Sequence, residues 1–305
     1  MIPRAEVEGW NRTHDRFDVW YGGLVAKYTT LVEAPVLASL LTSPQVVVVD
    51  CRFDLANPAA GEAAYQQAHI PGAVYAHLDR DLSGPKTGAN GRHPLPSPEA
   101  LTSTLGRFGI DASVQVIVYD QDTGMYASRL WWLLRWMGHR AVAVLDGGMA
   151  TWTAQQRATT SGTQSREPRI FSGTPDAGML VGAMDVAAIA ASADQRLVDA
   201  RAPERYRGDI EPIDPVAGHI PGAVNHFYLR NLAEGCFLSP QSLREQWRAS
   251  IGDVPGDRVV CYCGSGVTAC HDVLALEHAG LHGARLYPGS WSEWVADPNR
   301  PVERG

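Results

Sequence analysis

The chain lacks what would commit it to a membrane, a nucleic acid or a disulfide scaffold. No apolar run approaches the roughly 18 residues of a membrane-spanning helix. Lys and Arg number 26 against 33 Asp and Glu, and the net charge of −7 argues against a general binder of nucleic acid or anionic lipid. An anionic substrate would therefore need a local patch of arginine. The cysteines number five, an odd count without regular spacing, which does not make a disulfide framework. A reducing cytoplasm is the expected setting. No Cys/His cluster has zinc spacing, and no glycine-rich phosphate fingerprint follows a strand, so no metal and no cofactor are expected. The first residues carry Arg4, Glu6, Glu8, Arg12, Asp15, Arg16 and Asp18, and no apolar core of a signal peptide.

What is present reads as two α/β units. With 305 residues, 45% of them hydrophobic, the chain can bury two medium cores. Residues 1–28 read as an N-terminal extension without a clear period. The pattern then predicts a short helix over Pro35–Leu41 and strands at Val46–Asp50, Val114–Tyr119 and Ala141–Leu145. It predicts an apolar helix over Tyr126–Met137, stopped by Gly138. Residues 158–175 turn rich in Ser, Thr, Gly and Pro, the best linker candidate.

After that stretch the same order returns. Leu197–Asp199 repeats the strand ending at Asp50. The run Gly218-His219-Ile220-Pro221-Gly222-Ala223-Val224 repeats residues 68–74 almost letter for letter. Val259–Tyr262 repeats Val116–Tyr119, and residues 288–294 repeat 146–152. A period of this length indicates two homologous domains rather than a solenoid, and strands alternating with helices argue for mainly parallel sheets flanked by helices. The division expected is 29–157, a linker over 158–180, and 181–305.

One stretch carries the chemistry. The strand Val259–Tyr262 runs into Cys263-Gly264-Ser265-Gly266-Val267-Thr268, and helical spacing follows from Cys270 to Ala279. Cys263 thus stands at the carboxyl end of a strand, in a tight loop before a helix. The loop amides and the helix end favour negative charge there, as a nucleophilic sulfur requires. Two glycines and two hydroxyls in the next five residues make a poor core segment, so a merely structural cysteine fits less well. Aligning the halves puts Asp120 where Cys263 stands. A carboxylate offers no nucleophilic thiol, so the first half should be catalytically silent.

This loop resembles the active-site loop of the mercaptopyruvate sulfurtransferases, a branch of the rhodanese family. Tyr65-x-x-x-His69-Ile-Pro-Gly-Ala73 and Ala284-x-x-Tyr287-Pro-Gly-Ser-Trp-Ser-Glu-Trp294 resemble that family's N- and C-terminal signatures. The resemblance covers about residues 30–301. It implies two rhodanese-like domains, with a site in the second that faces the cleft between them. It also implies a Cys263 persulfide that takes sulfur from a small-molecule donor and passes it to an acceptor such as cyanide, a thiol or thioredoxin. Ser265 is a candidate proton relay, and Thr268 a helix cap. Gly264, Gly266, Val267 and Thr268 are expected around the substrate. Cysteine phosphatases need an arginine six positions after the nucleophile, and Ala269 stands there. The loop carries no charge, which suits the monoanion mercaptopyruvate better than the dianion thiosulfate; a carrier loaded by another enzyme is the reading from a different class.

Arg205 matches an arginine that binds substrate in the mercaptopyruvate enzymes. A second one normally follows about nine residues later, where this chain has Asp214. Arg207 is the expected replacement, and Arg201 is expected to pair with Asp199. His69 and His219 sit in matching turns and read as structural. His93, in Gly91-Arg92-His93-Pro94, is a further candidate to reach the cleft from the first domain.

Overall fold

The computed structural model describes residues 27–305, so the extension read over 1–28 lies, but for its last two residues, outside the described residues. The β-branched run Val46–Asp50 is a fully buried strand, as its composition requires. It forms β2 of a five-stranded parallel sheet with β1 (Leu31–Val32), β3 (Val74–Tyr75), β4 (Gln115–Tyr119) and β5 (Val142–Leu145), in the order β1-β5-β4-β2-β3. The second domain repeats this with β6 (Arg196–Asp199), β7 (Val224–Asn225), β10 (Val259–Tyr262) and β11 (Arg285–Leu286), ordered β11-β10-β6-β7 and parallel throughout. A small hairpin of β8 (Leu232–Ala233) and β9 (Cys236–Phe237) lies between. Among the described residues the second sheet has no strand matching β1. Its place is held by Leu180, which bridges Leu286, with Val181 N–H donating to Leu286 O.

The duplication reaches the side chains. Arg52 holds Asp50 at 2.7 Å and Arg201 holds Asp199 at 2.6 Å. Each guanidinium also donates to a backbone carbonyl in the following turn, Ala68 or Gly218. His69 stacks on Tyr65 and His219 on Tyr206, and each ring Nδ1 lies 2.8 Å from that tyrosine's carbonyl. Arg201, His69 and His219 are therefore structural, as their repetition in both halves implies.

Of the stretch expected as a linker over 158–180, residues 160–176 are a strap bound to the first domain, while Leu180 already joins the second sheet. Thr160 and His69 exchange backbone hydrogen bonds, Arg169 N–H donates to Gly106 O, and the Phe171 ring is buried. Its polar composition concealed this, because the strap is held through backbone groups.

The two domains meet along two helices. Ala127–Trp136 of the first packs against Thr268–His278 of the second. Arg135 crosses the seam to Glu277 at 2.7 Å, largely buried. In the first domain the loop after β4 closes on Asp120, whose carboxylate accepts from the N–H groups of Gly124, Tyr126 and Ala127 at 2.7–3.1 Å. It is the internal anion of this helix start. Asp120→Ala should lower stability by about 2–3 kcal/mol, since buried amide donors lose their acceptor. A denaturation midpoint equal to the parent's would show that other groups satisfy those amides.

A buried polar chain runs beneath the second helix. His226 lies 2.8 Å from Ser250 Oγ and 3.1 Å from Asn231 Oδ1. Asn231 Nδ2 donates to Asp272 and to His271, and His271 Nε2 lies 3.0 Å from Thr123 O of the first domain. Burial lowers His226 to about 4 and His271 to about 3; it also lowers His93 to about 3 and depresses His139. Burial pushes Asp272 the other way, well above the carboxylate range. A depressed histidine stabilises the fold above its unfolded value of about 6.5 and loses that contribution as pH falls through its folded value. Asp272 and Asp120, both raised by burial, oppose this, but four histidines outnumber two carboxyls. The melting temperature should therefore fall by about 5 °C or more between pH 7 and pH 5. A flat or rising profile over that window would refute the neutral burial of these rings.

Candidate active site

Cys263 follows β10 directly and is 2% exposed. Its loop is held from behind by the segment after β11. Trp291 N–H donates to Cys263 O and Ser292 N–H to Gly264 O, each at 2.9 Å. Ser290 Oγ accepts from Cys263 N–H at 3.1 Å and donates to Tyr287 O at 2.9 Å. Ser290 adopts φ +54°, a left-handed conformation that a non-glycine residue holds only when its surroundings over-determine it. Gly266 has φ +75°, and a Cβ there would stand 2.3 Å from Pro288 O, so only glycine fits. This geometry aims Gly266 N–H at Cys263 Sγ, 3.2 Å away.

The helix begins at Thr268, two residues earlier than its periodicity predicts. The cap position falls on Val267, no side chain caps it, and the expected Thr268 cap is not formed. Thr268 is half-buried in the first turn and Val267 is buried beside the loop. Cys261 and Cys270 are fully buried; burial pushes Cys261 well up and Cys270 to about 12. Cys270 Sγ donates to Gly266 O, supporting the loop from below. None of the five cysteines is in a disulfide.

Ser265 Oγ and His93 Nδ1 share a 2.8 Å hydrogen bond between residues 172 positions apart. On its other side His93 Nε2 lies 3.5 Å from Asp79 Oδ1. Burial first, and then the charge of Arg129, keeps the His93 imidazole neutral. The sequence placed His93 within reach of the cleft; Asp79 carried no local signal. Hydroxyl, imidazole and carboxylate thus form a line that can orient the Ser265 hydroxyl and move a proton beside Cys263.

Two guanidinium groups stand over the loop. A Cβ on Gly264 would lie 2.9 Å from Arg92 Nη2 and 3.7 Å from Arg205 Nη1 and Nη2. Arg205 pairs with Glu211 at 2.7 Å and Asp214 at 3.2 Å, and Arg92 pairs with the other oxygen of Asp214. Arg207 is not among the groups at Gly264: it is half-exposed and holds Asp209 at 2.7 Å. Helical spacing explains the difference, because a residue two positions on from Arg205 points to another face. Arg92 was missed because it belongs to the first domain; its one local signal was Gly91, a turn glycine before a polar pair.

Comparison with known proteins agrees with this geometry. The Rhodanese-like domain family matches residues 33–155 and 183–297. The chain is 49% identical over 278 residues to the "Probable 3-mercaptopyruvate sulfurtransferase" of Pseudomonas aeruginosa, covering 90% of this chain and 98% of that one. It is 34% identical over 294 residues to the thiosulfate sulfurtransferase of Cricetulus griseus, covering 91% and 96%. The solved 3-mercaptopyruvate sulfurtransferase from Leishmania major superposes with a TM-score of 0.78 at 27% identity, over 90% of this chain and 75% of that one. Two tandem matches that together span more than half of the chain, with relatives similar over nearly its whole length, establish that the chain belongs to the rhodanese family.

Proposed function

We propose that this protein is a sulfurtransferase that takes sulfur from 3-mercaptopyruvate. The observation that carries the reading is Cys263 Sγ beneath the Gly266 amide, with the Ser265–His93 hydrogen bond beside it in an uncharged loop. The Cys263 thiolate attacks the donor's sulfur. The carbon–sulfur bond breaks, and its electron pair leaves on carbon as the enolate of pyruvate. The donor's thiol proton passes through Ser265, held by His93, to that carbon. Pyruvate departs and Cys263 carries the persulfide. A thiophilic acceptor then takes the outer sulfur, and cyanide, a small thiol or reduced thioredoxin in a reducing cytoplasm fits the chemistry.

Thiosulfate differs in one respect. When its S–S bond breaks, sulfite leaves as a stable anion and needs no proton. The two donors therefore separate the nucleophile from the relay. The unmodified protein should show the higher kcat/KM with mercaptopyruvate when both are assayed with cyanide. Cys263→Ser should abolish turnover with either donor, because a hydroxyl forms no persulfide. Residual turnover with the serine variant, or a preference for thiosulfate, would overturn the nucleophile or the donor respectively.

Ser265→Ala should lower kcat/KM for mercaptopyruvate by about two decades, the usual scale of general acid–base assistance, and for thiosulfate by less than about tenfold. His93→Gln should follow the same split more weakly, since it disturbs the serine rather than removing it. Equal losses with both donors would mean that Ser265 supports the loop instead of moving a proton.

A further inference from the structure

The first domain supplies a charged group at the cysteine loop as well as a neutral one. Arg92 sits between Gly91 and His93, and this short segment is pinned to the second domain. Arg92 N–H donates to Ser292 Oγ at 2.9 Å. Gly91 has φ +83°, and a Cβ on it would stand 2.7 Å from Gly289 O. The Arg92 side chain then reaches over Gly264, closer to the loop than Arg205 does. Its Nε is buried and has no hydrogen-bond partner among the described residues. Asp214 lies between the two guanidiniums, one oxygen on each, with its side chain 3% exposed. The loop is thus flanked by two cations, which share one buried aspartate.

We propose that Arg92 is the second donor-binding cation, lent by the catalytically silent domain. The donor's carboxylate is held between Arg92 and Arg205, and Asp214 is the internal anion that keeps the pair in place and competes with the donor for it. The inference rests on the reading of an α-keto acid donor and adds the residue that selects it. It also gives Asp214, nine positions after Arg205, a role as the counterion of both guanidiniums. An Arg92–Asp214 pair that served only to join the domains would look the same in a static structure, yet it would respond differently to substitution.

The test is calorimetric titration of 3-mercaptopyruvate into protein carrying Cys263→Ser, which binds without reacting, together with steady-state kinetics in the Cys263 protein. Arg92→Ala should weaken binding and raise KM by about tenfold or more, the fold-change expected for a lost charge-assisted hydrogen bond, with kcat changed less. Asp214→Asn removes the same bridge but keeps the cation and withdraws its competitor, so it should tighten binding by about threefold. The charge swap Arg92→Asp with Asp214→Arg should recover most of the affinity that Arg92→Ala loses. Melting temperatures of all variants report the cost of the bridge itself. If Arg92→Ala and Asp214→Asn weaken binding alike, or if Arg92→Ala leaves it within twofold, the proposal is overturned and Arg92 is an interdomain strut. If binding depends on Arg92 with these signs while the Cys263 protein prefers thiosulfate, the carboxylate site stands and the donor assignment falls.

Discussion

The arrangement at the cysteine depends on one buried cation. Arg129, on the first domain's interface helix, is 0% exposed and makes no ion pair with an acid among the described residues. Its guanidinium donates to Gly266 O in the cysteine loop and to His93 O in the first domain, each at 3.0 Å. Burial draws it below the usual arginine value, and the nearby Cys270 offsets part of that. A charge taken out of water costs several kcal/mol unless polar groups replace its hydration, and here carbonyl oxygens from both domains do so at Nη1 and Nη2, while Nε is left without a hydrogen-bond partner among the described residues. The return is positional. The loop that carries Cys263 and the segment that carries Arg92 and His93 are fixed to a single planar group, and so to each other.

Duplication explains why such a site needs both halves. Each domain ends a central strand in a loop of amides that favours an anion. In the first, Asp120 is that anion, and its carboxylate uses up the donors of its own loop. In the second, the anion is replaced by a sulfur, which accepts from Gly266 N–H. A loop already filled by its own carboxylate can bind nothing further, which frees that domain to contribute side chains elsewhere. Its contributions come from residues 91–93, well before Asp120 in the chain, and from Arg129, on the helix that follows the Asp120 loop, and all converge on the partner loop.

Local patterns made much of this legible. The strands at Val46–Asp50 and Val259–Tyr262 fall where the β-branched runs predict, and the duplication is visible as repeated letters. Cys263 was evident because strand, glycines and helix are contiguous. The misreadings have separate physical origins. Thr268 was read as a cap because hydroxyls cap helices, but the tight turn at Gly266 starts the helix earlier and leaves the cap to Val267. Arg207 was read as the missing arginine because it is near Arg205 in sequence, whereas a helix turns it toward Asp209. The Ser265–His93 contact and the approach of Arg92 to Gly264 span about 170 residues and an interface, and no local period encodes them.

Burial sets the energetics of the cleft. With Cys263 2% exposed, water is largely excluded from the sulfur, and charges nearby act through a medium far less screening than solvent. That strengthens the pull of Arg92 and Arg205 on any anion, but it also makes two unpaired guanidiniums costly to bury. Glu211 and Asp214 answer this, with side chains 4% and 3% exposed, each held against arginine. Against its burial, the Arg205 guanidinium first, and then the N–H groups of Asp214 and Ile213, hold Glu211 below the usual carboxylate range. The result is a site neutral in sum and polar in detail. On the proposed reading, a donor bringing one negative charge would exchange contacts with an internal carboxylate instead of filling a bare cation hole, which would limit affinity and favour turnover over tight retention.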